Sequence, residues 1–197
     1  MGIDGEIGPR LRSERESRGL SQRELARRLG LSPSLISQIE KGQSRPSVST
    51  LYAMVNELGL SLDELLLRAP DARPDTGAPA RPPVPGPVRR PDDRAVIVLE
   101  SGVRWERIAD GSGAHVDFLY VIYEVGGASS EDGAMMRHAG REYGYVISGR
   151  LAVQIAFDTH ELGPGDGISF DSTMPHRLSN IGDEPVHAIW FVLGRAG

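Results

Sequence analysis

The first 69 residues carry an apolar pattern with the spacing of α-helices. Apolar residues recur at intervals of three and four in successive groups, which are Leu25 and Leu29, then Leu35, Ile36 and Ile39, then Val48, Leu51, Tyr52, Val55 and Leu58. Ser21–Glu24 and Ser61–Glu64 each read Ser-x-x-Glu, which is the capping box that opens a helix. Together with an earlier periodic stretch that contains Ile7 and Leu11, the pattern predicts a compact bundle of five helices.

Beyond residue 92 the pattern changes to short runs of β-branched and aromatic residues. The predicted strands are Ala95–Leu99, His115–Val125, Tyr143–Ile147, Arg150–Phe157 and Val186–Leu193. Glycine-containing turns separate them, and many short strands at regular spacing indicate a β-sandwich or a barrel. The chain is therefore predicted to be an α + β protein of two domains.

A proline-rich segment, residues 70–91, separates the two patterns. Eight of its residues are proline, and it has no apolar periodicity with which to bury a core. Such a composition favours an extended connector of the polyproline type. We therefore predict a helical domain at residues 1–69, a linker at 70–91 and an all-β domain at 92–197.

Charge is unevenly distributed between these parts. Residues 1–69 carry ten Lys/Arg and nine Asp/Glu, residues 70–91 four and two, and residues 92–197 eight and sixteen, so the formal net charges are +1, +2 and −8. The acidic C-terminal part would repel DNA, which leaves any DNA contact to the helical part. The chain has no cysteine, and this excludes disulfides and thiolate metal sites. Because the N-terminus lacks a secretory signal and no apolar run could span a bilayer, we expect a cytoplasmic protein.

The segment Leu20–Gly42, LSQRELARRLGLSPSLISQIEKG, resembles the helix-turn-helix of the phage-repressor-like (XRE) family. The resemblance extends over about residues 7–67 and implies that the second motif helix enters the major groove of DNA. Ser34 and Gln38 are candidates for base edges, since a glutamine amide can pair with adenine, and the family commonly bonds phosphate at the position of Gln22. The complete set of predicted DNA contacts is Gln22, Arg23, Ser32, Pro33, Ser34, Ser37, Gln38, Lys41 and Arg45, with the basic residues assigned to phosphates.

Two further segments resemble the two motifs of cupin (jelly-roll) barrels, over about residues 95–193. In GAMMRHAGREYGYVISG, His138, Glu142 and Gly149 follow the family spacing, and in LGPGDGISFDSTMPHRLSN, His176 and Asn180 fit the second motif. The resemblance implies that His138, Glu142 and His176 converge inside the barrel as metal ligands. Two histidines and one carboxylate suit a divalent ion, and zinc, iron, manganese and nickel are not distinguished.

One departure from the family leaves an alternative open. Met136 stands where cupins usually have the first histidine of the first motif, and a thioether is a poor ligand for such ions. The barrel is then either a metal site or a metal-free pocket whose histidines contact an organic effector. In both cases we expect Met136, Tyr120 and Tyr145 to line the effector pocket, whereas His115, His160 and His187 match no motif position.

The combination of a DNA reader with a ligand-binding barrel predicts a one-component transcriptional regulator rather than an enzyme. Its partners would be a double-stranded DNA operator and a small-molecule effector, with no membrane partner. One short recognition helix offers few base contacts, so we expect a homodimer on an inverted repeat. The alternative is a non-haem iron cupin oxygenase or epoxidase with a vestigial helix-turn-helix domain, because some such enzymes share the His-x3-Glu…His triad.

Overall fold

The computed structural model describes residues 4–60, 65, 88–109, 116–130 and 133–194. Within these residues the N-terminal part holds four helices, α1 (Asp4–Ser17), α2 (Gln22–Leu29), α3 (Pro33–Glu40) and α4 (Val48–Glu57). The bundle was predicted to have five helices, and the described residues show four. The capping box of the predicted fifth helix, residues 61–64, lies outside the described residues, as does most of the predicted linker.

Local signals set the ends of these helices. The Oγ of Ser21 accepts the Glu24 backbone N–H at 3.1 Å, which satisfies one of the free donors at the start of α2. Gly30 ends α2 with φ 67°, a left-handed conformation that glycine adopts without strain. Helices α1 and α3 cross very closely at Gly8, where an added Cβ would lie 2.3 Å from the Ile39 carbonyl oxygen.

The C-terminal part is a β-sandwich of nine strands in the described residues. The strands are β1 (Val96–Val98), β2 (Val103–Arg107), β3 (Val116–Tyr123), β4 (Arg141–Ser148), β5 (Leu151–Ile155), β6 (Asp158–Leu162), β7 (Gly167–Asp171), β8 (His176–Asn180) and β9 (Val186–Leu193). They form a six-stranded sheet in the order β1-β2-β3-β9-β4-β7 and a three-stranded sheet in the order β6-β5-β8. The strands that the sequence pattern did not predict are β2, β6, β7 and β8, and β6 is mostly exposed, so it has no apolar alternation to signal it.

Alternation along each long strand divides the six-stranded sheet into an inner and an outer face. In β3 the buried residues are Asp117, Leu119, Val121 and Tyr123, and in β4 Glu142, Gly144 and Val146 are the less exposed positions. Apolar residues of this inner face form the core together with buried residues of the three-stranded sheet, such as Leu151, Val153 and Leu178. We call this domain, residues 88–194 as described, the barrel, and residues 4–60 the helical domain.

The helical domain contacts the barrel directly. The Ser49 N–H of α4 donates to the Ser129 carbonyl at 3.0 Å, and the Glu100 N–H donates to the Pro46 carbonyl at 3.1 Å. The Tyr52 ring of α4 meets the Trp105 ring of β2 edge to face, with centroids 5.5 Å apart. The start of α4 and the residue before Ser47 therefore contact the barrel, and α1 also lies against β1.

Candidate functional site

The outer face of α3 is open to solvent. Ser34 and Gln38 are exposed and Ser37 is half-buried, so the two residues predicted to read bases share an accessible surface. Ser32 is also exposed, but its Oγ accepts the Leu35 N–H at 3.1 Å, which makes it the N-cap of α3. Pro33 follows as the first helical residue, where its missing N–H costs nothing.

A buried ion pair fixes α3 against α1. The guanidinium of Arg15 donates to both carboxylate oxygens of Glu40, at 2.5 and 2.9 Å, and both residues are buried. The Gln22 side chain donates to the same carboxylate at 2.7 Å. Gln22, predicted to bond phosphate, therefore already holds the start of α2 to the end of α3.

The three basic residues predicted to meet phosphates lie in different surroundings. Arg23 and Lys41 are exposed on the helical domain. Arg45 is exposed too, but it lines two clefts between the domains, one of about 640 Å³ that also includes Glu100 and Arg177, and one of about 150 Å³ that includes Ile97. Arg45 thus lies where the helical domain meets the barrel, and the helix-turn-helix motif did not predict this position.

Three side chains inside the barrel converge on one point, as the motif resemblance implied. Glu142 extends from β4 of the large sheet, His176 from β8 of the small sheet, and His138 from the segment before β4. The Glu142 Oε1 lies 2.8 Å from the His138 Nε2 and 3.0 Å from the His176 Nε2. All three residues are buried, and their ligand atoms lie within 4.8 Å of one another. We call these residues the ligand cluster.

The hydrogen bonds around the ligand cluster leave its three facing atoms directed only at one another. His138 Nδ1 lies 3.2 Å from the Ala139 carbonyl, and His176 Nδ1 lies 2.8 Å from the Met174 carbonyl. A carbonyl only accepts, so Nδ1 carries a proton, and when the ring is neutral the Nε2 lone pair is directed into the cluster. Among the described residues, the two Nε2 atoms and the Glu142 Oε1 have no partner outside the cluster.

This arrangement fits a divalent metal ion. Neighbouring ligands of a metal bound at about 2.1 Å lie roughly 3 to 3.5 Å apart, which is close to the separations in the ligand cluster. Buried polar atoms without a partner are rare in proteins and call for an explanation such as an ion. The residues that would hold the ion are therefore His138 and His176 through Nε2 and Glu142 through Oε1.

Neighbouring side chains orient the ligand cluster, and the motif analysis missed them. The Trp190 indole N–H donates to the other Glu142 oxygen, Oε2, at 2.6 Å. Trp190 in turn fits against Gly144, where an added Cβ would lie 2.0 Å from the indole ring. The Phe170 ring lies 5.0 Å from that of His176. The alternation of β9 indicates that Trp190 faces inward, but only the strand order places it beside Glu142.

Burial and charge shift the pKa values of Glu142 and His176 in opposite directions. Burial by itself raises the pKa of Glu142, but the two imidazoles lower it overall, below its usual range. Burial lowers the pKa of His176, whereas the Glu142 carboxylate raises it, and the net shift is upward. For Tyr123, burial and then the charge of Glu142 both raise the pKa. The ligand cluster thus favours an ionised Glu142.

Met136 lies beside the ligand cluster, as predicted. It forms an antiparallel bridge with His176, with backbone hydrogen bonds of 2.9 and 3.0 Å, so the two side chains are on the same face. An unpredicted residue lies on the other side: Tyr52 of α4 stacks on the His138 ring, with centroids 4.3 Å apart and planes inclined by 6°. One side of the ligand cluster is therefore covered by the helical domain.

Tyr120 and Tyr145, expected to line the effector pocket, do not join the ligand cluster. Tyr120 is one of the alternating β3 residues that face outward, and its hydroxyl is 2.8 Å from Nδ1 of His187. Tyr145 is 51% exposed on the outward side of β4. The physical reason is strand alternation, since Glu142 and Tyr145 are an odd number of residues apart and point to opposite faces.

The remaining histidines are also placed away from the ligand cluster where the structure describes them. His160 is exposed on β6, and His187 lies on the outer face. His115 lies outside the described residues. None of the helices in the described part of the chain is long and apolar enough to cross a membrane.

Comparisons with known proteins agree with this geometry. A helix-turn-helix family model matches residues 11–65, and a cupin domain model matches residues 119–192. The chain is 30% identical over 173 residues to the HTH-type transcriptional regulator PuuR of Escherichia coli, covering 88% of this chain and 86% of that protein. It is 23% identical over 177 residues to the HTH-type transcriptional regulator SutR of Escherichia coli, covering 90% and 88%.

A solved structure shows the same fold over nearly the whole length. This is an HTH_3 family transcriptional regulator from Vibrio cholerae, with a TM-score of 0.67, 22% identity and coverage of 98% of both chains. The likeness therefore includes both the helical domain and the barrel.

Proposed function

The chain belongs to the XRE-type HTH transcriptional regulators that carry a cupin domain, and on that premise we propose that it is a one-component regulator whose barrel senses a small molecule. The helical domain would bind an operator, and the barrel would change the arrangement of the helical domains when the effector is bound. Such a regulator would act on cytoplasmic DNA and would have no catalytic role.

Recognition of the operator is supported by the outer face of α3. Ser34 and Gln38 are exposed on one side of a helix whose other side is held by Ile36 and Ile39 in the core. A rigid helix that presents short polar side chains suits the major groove. Arg23 and Lys41 lie on the same domain and would neutralise phosphates.

The sensor half of the proposal depends on one observation: three buried atoms of the ligand cluster face each other and, among the described residues, have no partner outside the cluster. A bound divalent ion would supply a Lewis acid with coordination positions that the protein leaves open. An acidic or hydroxylated small molecule is the chemistry that would complete such a shell. Zinc, iron, manganese and nickel all accept this ligand set, and Met136 would contact the effector beside it.

A homodimer is supported by the outer face of the large sheet. Tyr143, Tyr145 and Ile147 are exposed on β4, and the rings of Phe118 and Phe191 stack next to them with centroids 4.0 Å apart. Five neighbouring strands of the sheet, β2, β3, β9, β4 and β7, give this face a projected area of roughly 500 Å². This area approaches the about 800 Å² that each partner buries in a standard interface. A second copy of the chain is the occupant that a two-fold operator requires.

The dimer interface can be tested on the outer face itself. Tyr145→Asp places a charge at its centre and should convert the dimer to a monomer in sedimentation experiments. Phe157→Asp is the matched control, because Phe157 is a fully exposed aromatic residue in the turn between β5 and β6. If the two variants have the same oligomeric state, this face is not the dimer interface.

A second candidate function follows from the same ligand cluster. Two histidines and one carboxylate with open positions also serve non-haem iron(II) oxygenases, so an enzyme with an N-terminal helical domain is the competing proposal. It predicts turnover of an organic substrate by iron-loaded protein, and it predicts no preference for one DNA sequence over another.

The deciding experiment selects DNA from a random pool with the full-length chain and compares affinity for the selected duplex and for a scrambled one. A regulator should prefer the selected duplex by at least about 10³-fold at fixed salt concentration. Metal content is measured on the same preparation by elemental analysis. Equal affinity for both duplexes would reject the proposed function and favour the enzyme.

A further inference from the structure

A residue of the DNA-reading domain contacts the ligand cluster inside the barrel. Tyr52 belongs to α4, which packs on α2, and is only 4% exposed. Its ring lies parallel to that of His138, with a centroid separation of 4.3 Å. His138 in turn places its Nε2 2.8 Å from Glu142 Oε1. The helical domain therefore contacts one of the candidate metal ligands directly.

The surrounding contacts hold Tyr52 in this position. Ser49, three residues earlier on α4, donates its N–H to the Ser129 carbonyl at 3.0 Å, and the Pro46 carbonyl accepts the Glu100 N–H at 3.1 Å. Trp105 meets the Tyr52 ring at its edge. These bonds hold the start of α4 against the barrel, and the Tyr52 ring contacts both Trp105 and His138.

A cation at the ligand cluster would strengthen this stack for two reasons. Nδ1 of His138 is already held by the Ala139 carbonyl, so ligation through Nε2 would fix the ring at both nitrogens and stop its rotation. A metal-bound imidazole is also electron-poor, and such a ring is attracted to the electron-rich face of a phenol.

We propose that Tyr52 couples the occupancy of the ligand cluster to the docking of the helical domain on the barrel. This proposal rests on the metal-binding part of the proposed function. Metal binding stabilises the docked arrangement, and by thermodynamic reciprocity the docked arrangement holds the metal more tightly. In a dimer built on the outer face of the large sheet, docking fixes the distance between the two α3 helices and thereby the operator spacing that fits.

The test uses hydrogen exchange of the full-length chain with and without Zn²⁺ as the probe metal. The reporters are the backbone amides of Ser49 and Glu100, because their bonds join the two domains. In the wild type, Zn²⁺ should slow exchange at both amides by at least about fivefold, the lower end of typical coupling between sites. Tyr52→Leu should lose this response while still binding Zn²⁺, and Tyr52→Phe, which keeps the ring, should retain it.

The outcomes separate this proposal from the proposed function. Zn²⁺ uptake is measured by native mass spectrometry and operator binding by titration on the same samples. Uptake without any change of exchange in the wild type would overturn the coupling, as would a full response in Tyr52→Leu. No uptake would reject the metal site and the coupling together, whereas absent operator binding would reject only the DNA-binding part of the proposed function. If Tyr52→Leu does not fold, Tyr52→Met serves the same comparison, since methionine fills the space without a flat ring.

Discussion

Glu40 of the helical domain and Glu142 of the barrel are both buried carboxylates, but their surroundings differ. In the helical domain, Glu40 accepts hydrogen bonds from two Arg15 nitrogens and from the Gln22 amide. In the barrel, Glu142 accepts a hydrogen bond at Oε2 from Trp190, while its Oε1 faces the Nε2 atoms of two imidazoles, at 2.8 and 3.0 Å.

This difference separates a structural group from a functional one. A buried charge is tolerated when a partner charge and hydrogen bonds satisfy it, and Glu40 meets that condition with residues of the protein alone. Glu142 leaves its second oxygen and two ligand nitrogens directed at a common point, which a cation would satisfy. The stability of the helical domain should thus depend on Glu40, and the ligand affinity of the barrel on Glu142.

The largest expected effect breaks the pair in the helical domain. Arg15→Met leaves the buried Glu40 carboxylate without its cation, and we expect the free energy of unfolding to fall by about 3–5 kcal/mol. Urea denaturation measures the change. The double variant Arg15→Met with Glu40→Leu removes both charges and should recover most of the loss. A loss below about 1 kcal/mol in the single variant would contradict a structural role for this pair.

The corresponding change in the barrel should act on metal affinity instead. Glu142→Gln removes one negative ligand with little change of volume, so we expect Zn²⁺ affinity to fall by about 100-fold or more, equivalent to about 2.7 kcal/mol, with the fold retained. Calorimetric titration measures the affinity. Glu161→Gln, an exposed carboxylate of β6, is the matched control and should bind Zn²⁺ like the wild type.

Removing the hydrogen bond to Glu142 should have a smaller effect. Trp190→Phe deletes the indole N–H that holds Oε2, and loss of such an outer partner typically reduces metal affinity by about 10–100-fold. Tyr143→Phe removes a hydroxyl from the opposite face of β4 and should leave Zn²⁺ binding unchanged. If Trp190→Phe behaves like this control, Trp190 does not position Glu142.

At the outer face of α3 we expect an effect on specificity rather than on stability. Gln38→Ala should reduce the preference for the selected operator over a scrambled duplex by about 1–3 kcal/mol per half-site, if its amide pairs with a base at two points. Gln43→Ala removes an amide that lines the cleft between the domains and should keep the preference. Equal losses on both duplexes would assign Gln38 to the DNA backbone.

A half-buried carboxylate at the surface of the helical domain, Glu24, completes the comparison and should give the smallest effect. Hydrogen bonds from Arg27 and then Arg28 lower the pKa of Glu24 from 4.5 to about 2. A lowered pKa means that the ionised group stabilises the fold above pH 4.5 and that this contribution disappears as the pH falls towards 2. Glu24→Gln should lower Tm slightly at pH 7. A Tm difference from the wild type that stays the same down to pH 2 would contradict this.

Much of the helical domain could be predicted because its signals are local. The capping serines, the terminal glycine of α2 and the i, i+3, i+4 apolar spacing depend on residues within one or two turns. The same local logic missed the Arg15–Glu40 pair, whose members are 25 residues apart in sequence. The strands with strong alternation were also predicted, whereas β6 was not, because exposed polar residues carry no pattern.

The candidate site was predicted only in part, for a related reason. His138, Glu142 and His176 were identified by motif spacing, and strand alternation accounts for the outward position of Tyr145. The motif gave no information on what lies across the sheet or across the domain boundary. Trp190 and Tyr52 were missed for this reason, since each contacts the ligand cluster from an element distant in sequence.

The sequence by itself determined the helix-turn-helix, the two barrel motifs and the three residues of the ligand cluster, because these depend on residue type and short-range spacing. Only the tertiary structure decided which inward residues surround Glu142, which polar atoms lack partners, and that α4 covers His138. Those features depend on strand order and on the docking of the two domains. Both are stabilised by contacts between residues that are far apart in the chain, and short-range spacing in the sequence does not show which of these residues meet.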